Sequence, residues 1–176
     1  MKIVVLKFGG TSVGTIEKIK KVTDIIIEHK KKKNKVIVVS SAMSGVTNDL
    51  IKKSKQISNN FIDSEYDVLV SSGEQVACSL IAGRLNHKGF KSRSWLGWQI
   101  PIFTNGPYTN SRIQQVNKNK LLRFLKEGGI PIITGFQGIN MNERVTTIGR
   151  GGSDASAIMI AKSFNCLLYT SDAADE

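Results

Sequence analysis

Two segments of this chain, Val36-Ile37-Val38-Val39 and Ile130-Pro131-Ile132-Ile133, are apolar at every position. A strand with no polar face must be covered on both sides, which is the condition of a parallel sheet rather than of one open to water. A third such run, Ile3-Val4-Val5-Leu6, stands near the start of the chain. Amphipathic stretches lie between these runs. Over residues 16–28, Ile16, Ile19, Thr23, Ile26 and Ile27 recur at i, i+3, i+7, i+10 and i+11, one stripe of a helix. Short apolar strands separated by helices predict an α/β fold with a mostly parallel, two-sided sheet.

The remaining elements follow from the same periodicities. Strands are expected at residues 2–7, 35–39, 91–95, 130–134, near 145–148 and at 166–169. Helices are expected at 48–57, from Gly73 to residue 85, at 118–126 before Gly128-Gly129, and at 155–164. Residues 58–64 are polar and irregular and read as a mobile excursion. With 176 residues and 40% hydrophobic content, the chain suits one domain or part of a larger one.

Several function classes drop out early. No run approaches the roughly 18 apolar residues of a membrane span. Met1-Lys2 leads straight into a strand without the layout of a signal peptide, so a cytoplasmic protein with no membrane partner is expected. Two cysteines, Cys78 and Cys166, make no disulfide framework and read as buried thiols. The net charge is +11, but the densest run, Lys30-Lys31-Lys32-Lys33-Asn34-Lys35, falls between a helix and a strand as a solvated corner. No aromatic residues interleave with the basic ones, so no nucleic-acid partner is expected. His29 and His87 sit near helix ends beside lysines and read as surface residues.

Four loops lie where α/β folds bind ligands, at strand ends or helix starts. In the first, Lys7-Phe8-Gly9-Gly10-Thr11-Ser12, glycines can take positive φ and bring backbone N–H groups close to an anion, with a lysine charge beside them. The lysine precedes the glycines, so this is not a Walker A loop. The second, residues 40–48, supplies hydroxyls; alone it reads as helix capping by Thr47 or Asn48. The third, Ser71-Ser72-Gly73-Glu74, alone reads as a helix start with Glu74 as a first-turn dipole partner. In the fourth, Thr147-Ile148-Gly149-Arg150-Gly151-Gly152-Ser153-Asp154, three glycines around an arginine can wrap an anion at a helix N-terminus. Asp154 either caps that helix or holds a nearby lysine. Gly97-Trp98-Gln99 forms a turn in which Trp98 reads as a core anchor.

No histidine lies in these loops, and nothing has metal-ligand spacing. Phosphoryl transfer to an acceptor that is already ionised fits such a set, because a carboxylate of ordinary pKa about 4 needs no general base.

At this level of detail the chain resembles the aspartate kinases of the amino-acid kinase superfamily. The resemblance rests on Lys7-Phe8-Gly9-Gly10-Thr11-Ser12, Val39-Ser40-Ser41-Ala42-Met43 with Thr47-Asn48, Ser72-Gly73-Glu74-Gln75, Gly97-Trp98-Gln99, Gly135-Phe136-Gln137-Gly138 and Gly149-Arg150-Gly151-Gly152-Ser153-Asp154, in family order over residues 1 to about 165. It implies a three-layer α/β/α, carbamate-kinase-like fold, truncated here. It also implies ATP-dependent phosphorylation of the L-aspartate side chain, the first step toward lysine, threonine and methionine. By position, Lys7 and Asp154 would be catalytic, with Asp154 organising the lysine. Lys7, Phe8, Gly9, Gly10, Ser41 and Thr170 would hold ATP. Thr47, Glu74, Arg150, Gly151, Gly152 and Ser153 would bind aspartate, Glu74 facing its ammonium. Mg²⁺ would arrive with ATP, no protein metal site is implied, and the full-length protein would be a homo-oligomer.

The chain departs from the family in two ways. Residues 1–165 correspond to the N-terminal part of a catalytic domain; the nucleotide half and the ACT regulatory domains have no counterpart. Residues 166–176 read as a strand remnant followed by a non-native tail resembling translated adaptor sequence, with Ser171 where a nucleotide-contacting aspartate belongs. A fragment without catalytic competence, and a superfamily kinase acting on glutamate, acetylglutamate or carbamate, are the alternatives.

Overall fold

The computed structural model describes residues 2–149 and 151–171, without the side chains of 168–171. Of the segment 166–176, residues 172–176 lie outside the described residues.

Strands β1 (Ile3–Phe8), β2 (Lys35–Ser40), β3 (Ser92–Trp95), β6 (Ile130–Thr134) and β9 (Leu167–Ser171) form a five-stranded sheet in the order β3-β6-β2-β1-β9. All of its pairings are parallel. Helix α1 (Ile16–Lys31) follows β1, and α2 (Val46–Ile57) and α3 (Asp63–His87) follow β2. Helix α4 (Asn119–Lys126) precedes β6, and α5 (Gly152–Ser163) precedes β9.

Strand alternation assigns the two faces. Val4, Leu6 and Phe8 of β1 join Val36, Val38, Ile130 and Ile132 against α1 and α3. Val5 joins Ile37, Val39 and Ile133 against Leu121 and Leu125 of α4 and Ala157 and Ile160 of α5. The sheet is thus the middle of three layers, as the uninterrupted apolar strands predict. Truncating a fully buried member such as Ile37 to alanine is expected to destabilise the fold by about 2–5 kcal/mol.

A second, four-stranded sheet was not anticipated. It contains β4 (Ile102–Asn105), β5 (Arg112–Val116), β7 (Gln137–Ile139) and β8 (Val145–Thr147), in the order β5-β4-β7-β8. Its β4–β5 and β7–β8 pairs are antiparallel. Of the four, only β8 showed in the pattern; β5 carries no buried residue to mark it.

Helix α3 corrects another expectation. It begins at Asp63 rather than at Gly73, so Ser71, Ser72 and Gly73 lie inside it. Gly73 is there for clearance: a Cβ would sit 2.9 Å from the Ala42 Cβ and 3.2 Å from Val46 Cγ1. Trp98, expected as a core anchor, is 47% exposed; Trp95 is the buried indole. What fixes the turn is Gln137, whose Oε1 accepts from Gly97 N–H and whose carbonyl would lie 2.9 Å from a Cβ on Gly97. The lysine corner is as expected, with Lys31, Lys32 and Lys33 exposed. Cys78 is buried and Cys166 half-buried, both free. His87 is exposed, whereas His29 is half-buried and burial lowers its pKa. No helix among the described residues is long and apolar enough to cross a membrane.

Candidate active site

Strands β1, β2 and β6 are parallel, so their C-terminal ends open on one side of the sheet, where such folds place ligands. The loops beyond β1 and β2, Phe136 beyond β6, the middle of α3 and the start of α5 enclose a cavity of about 380 Å³. It brings together Lys7, Gly10, Ser41, Thr47, Glu74, Gly151, Gly152, Ser153 and Asp154, nine of the residues singled out in the sequence. Thr47 and Asn48 line it and do not cap α2, whose N-cap is Gly45 at φ 86° with no side-chain bond.

Lys7 alternates with Leu6 and Phe8 along β1, so its side chain emerges on the face covered by α5. Its Nζ lies 2.8 Å from Asp154 Oδ1 in the first turn of that helix. Of the two expectations for Asp154, holding a lysine is the one realised; the N-cap of α5 is Gly151. Gly9 and Gly10 are not at positive φ. They serve approach instead: a Cβ on Gly10 would lie 3.1 Å from the Ala42 carbonyl oxygen, and one on Gly9 would lie 3.4 Å from Lys7 Nζ. Phe8 does not line the cavity. Its side chain is in the core, and its carbonyl accepts from Ser41 N–H at 3.0 Å, fixing the start of the second loop. Thr170 pairs through the backbone with Lys7, while its side chain lies outside the described residues.

Glu74 sits well inside α3, not in a first turn, and is 3% exposed. One carboxylate oxygen accepts from Ala42 N–H at 3.2 Å; the other, Oε2, is buried and has no hydrogen-bond partner among the described residues. Burial raises its pKa to about 7, against a smaller opposing effect of backbone hydrogen bonds. A buried carboxylate with an open acceptor beside a cavity is a receptor for a cationic donor.

The β8–α5 loop has the expected backbone, with Gly149 at φ 76° and Gly151 at φ 70°. Arg150 lies outside the described residues. The N-terminus of α5, bearing Gly152 and Ser153, faces the cavity and favours negative charge there. Gly135 lets this terminus come close, since a Cβ on it would meet Ser153 Oγ at 2.7 Å. Phe136 adopts φ 67°, unusual for a bulky residue. It is held there by its N–H donating to Ser156 Oγ and its carbonyl accepting from Ile148 N–H.

One buried charged residue escaped the sequence reading altogether. Asp67, on α3 two turns before Glu74, is fully buried and accepts from Thr109 and Thr147. Its position seven residues before Glu74 was the available signal, hidden because the helix was started too late.

Three relatives put these features in context. The aspartokinase of Geobacillus stearothermophilus is 46% identical over 173 residues, covering 97% of this chain and 42% of that protein. The solved aspartate kinase from Synechocystis superposes with a TM-score of 0.79 at 37% identity, over 95% of this chain and 28% of its own. E. coli aspartokinase III, solved in complex with aspartate and ADP, shares the fold with a TM-score of 0.83 at 24% identity, over 96% of this chain and 49% of its own. This chain therefore spans less than half the length of these relatives. The model of the amino acid kinase family matches residues 2–174, nearly the whole sequence, and the chain belongs to that family.

Proposed function

We propose that this chain forms the acceptor-binding part of an aspartate kinase catalytic domain, acting in the longer protein on L-aspartate and ATP to give 4-phospho-L-aspartate. The observation that carries this reading is the buried Glu74 Oε2, without a partner among the described residues, at the cavity that also holds the Lys7–Asp154 pair. An α-ammonium would satisfy Glu74, and Thr47, Ser153 and the start of α5 offer donors and positive potential to carboxylates. Gly151, Gly152 and Arg150 belong to the same acceptor side in this reading.

The chemistry asks little of the protein. The acceptor side chain is ionised at neutral pH, so no base is required, and no histidine lines the cavity. Lys7, oriented by Asp154, neutralises charge on the moving group; the backbone at Gly9 and Gly10 and Ser41 hold the phosphate chain. Mg-ATP, when bound, supplies the transferable phosphoryl group and a cation that screens its charge. Among the described residues no group of three or more His, Cys, Asp or Glu could cage a metal, so the magnesium would ride on phosphate oxygens. In this reading the reaction is a cytoplasmic first step toward lysine, threonine and methionine, carried out by a homo-oligomer.

Titrating L-aspartate into the chain, with succinate and L-glutamate as controls, tests the reading. L-Aspartate should bind, and succinate, which lacks the ammonium, should bind at least about tenfold more weakly, since a hydrogen bond to a charged group contributes about 1.5–3 kcal/mol. Equal binding of succinate, or preference for L-glutamate, would point to another acceptor.

A further inference from the structure

We infer that Asp67 is a positioning residue that sets the geometry of the β8–α5 loop at the acceptor site; this rests on the reading that the cavity takes L-aspartate. Asp67 is fully buried, and among the described residues its hydrogen bonds come from Thr109 and Thr147. Oδ2 accepts from Thr147 N–H at 2.9 Å and from Thr109 N–H at 3.0 Å. Oδ1 accepts from the Thr147 hydroxyl at 2.6 Å and, more loosely, from Thr109 N–H at 3.1 Å. The hydroxyl bond has the short length of a charge-assisted contact.

Both segments bear on the loop that lines the cavity. Thr147 ends β8, directly before Ile148 and Gly149. Thr109 belongs to the β4–β5 connection, which closes over the same loop. Ser111 N–H donates to the Thr147 carbonyl at 2.9 Å, and a Cβ on Gly149 would meet Asn110 Oδ1 at 2.9 Å and the Thr109 carbonyl oxygen at 3.4 Å. Thr109 itself holds φ 65°, a conformation that a β-branched residue rarely adopts without external support. The carboxylate of Asp67 gives that support by engaging the Thr109 amide with both oxygens.

The same helix therefore holds two parts of the site. Glu74 meets the loop after β2 through Ala42 N–H, and Asp67, two turns earlier on the same rod, meets the last residue of β8, from which the β8–α5 loop departs. A helix transmits position rigidly over two turns, so the separation of the two walls is fixed by α3 and not by the loops. A carboxylate that anchors but does not touch the ligand governs how well the walls fit it.

The test uses the 176-residue chain. Asp67→Asn keeps the shape but leaves one acceptor oxygen for three donors. Thr147→Val removes only the hydroxyl donor, and Thr147→Ser restores it. In the first two variants, amide exchange at Thr109, Thr147 and residues 148–151 should accelerate by about tenfold or more, while Glu74, Cys78 and Ile81 keep wild-type protection. The dissociation constant for L-aspartate should rise by about tenfold or more in the same two variants, and Thr147→Ser should match wild type. If Asp67→Asn does not fold, the Thr147 pair decides. Uniform loss of protection along the chain, or a deprotected loop with unchanged L-aspartate affinity, overturns the inference. If wild type shows no L-aspartate binding, the reading of the cavity fails on its own, and the exchange measurements still decide whether Asp67 holds the loop.

Discussion

Lys7 Nζ and Asp154 Oδ1 stand 2.8 Å apart, joining the end of the first strand to the first turn of the last helix. The lysine is 12% exposed and the aspartate 53%, so the pair is open to water on one side and adds little to stability. Exposed pairs contribute at most about 1 kcal/mol. In the proposed reading, the pair serves to aim the ammonium into the cavity that both residues line.

Asp154→Asn should therefore change the denaturation midpoint only slightly while lowering phosphoryl transfer by about 10²-fold in the chain continued by a relative's remaining segment, the loss typical of a misplaced catalytic group. Lys7→Met should lose about 10²–10³-fold, as for removal of a charge-stabilising donor. Equal destabilisation and equal loss of activity would mean that the pair is merely structural.

Glu74 should make aspartate binding depend on pH. Its folded pKa, raised by burial to about 7, exceeds its unfolded value, so its contribution to stability is present at low pH and is lost as pH rises through 7. The rise from 4.5 corresponds to about 3 kcal/mol. Glu74→Gln should be the more stable protein above pH 7 and should flatten the stability profile between pH 4.5 and 7. Binding of an ammonium favours the ionised form, so below pH 7 L-aspartate should expel a proton, read by calorimetry in buffers of different ionisation enthalpy. Binding with no proton release at pH 6 would contradict the pairing.

Gly73→Ala weighs two opposed effects. Alanine in a helix gains about 1 kcal/mol over glycine. Its Cβ, 2.9 Å from the Ala42 Cβ, would push away the very loop whose N–H meets Glu74, an overpacking that costs about 1–3 kcal/mol. The net result should be a lowered urea midpoint; a raised one would show that the loop yields freely.

Cys78 should be inert. Burial raises its thiol pKa, with a smaller contribution from Glu74 one turn away, so at pH 8 a thiol reagent should label it only on unfolding. Half-buried Cys166 should react first. Rapid labelling of both would mean that α3 does not pack as described.

The central strands and the positions of the ligand loops were legible because β1, β2 and β6 are buried on both faces, and because Lys7 and Gly151–Ser153 follow directly from strand and helix boundaries. Helix α3 was half-legible. Ser71 and Ser72 look like loop residues, yet they turn their hydroxyls back to Val68 and Leu69 carbonyls and leave the helix intact. The second sheet was illegible for a different reason: β5 is partly exposed along its length, so no alternation of buried and exposed residues marks it. Asp67 lies seven residues before Glu74 on α3, but its anchoring role was not legible, since its partners Thr109 and Thr147 lie 42 and 80 residues away.

Trapping of an acyl phosphate as its hydroxamate, with L-aspartate and Mg-ATP, tests the central claim most directly. It should be run on the 176-residue chain and on the same chain continued by the remaining segment of a related aspartokinase. Aspartyl hydroxamate formed by the continued chain, and abolished by Glu74→Gln or Lys7→Met, is the predicted result. A folded, continued chain that forms no aspartyl hydroxamate, yet forms the product of another carboxylate acceptor, would contradict it.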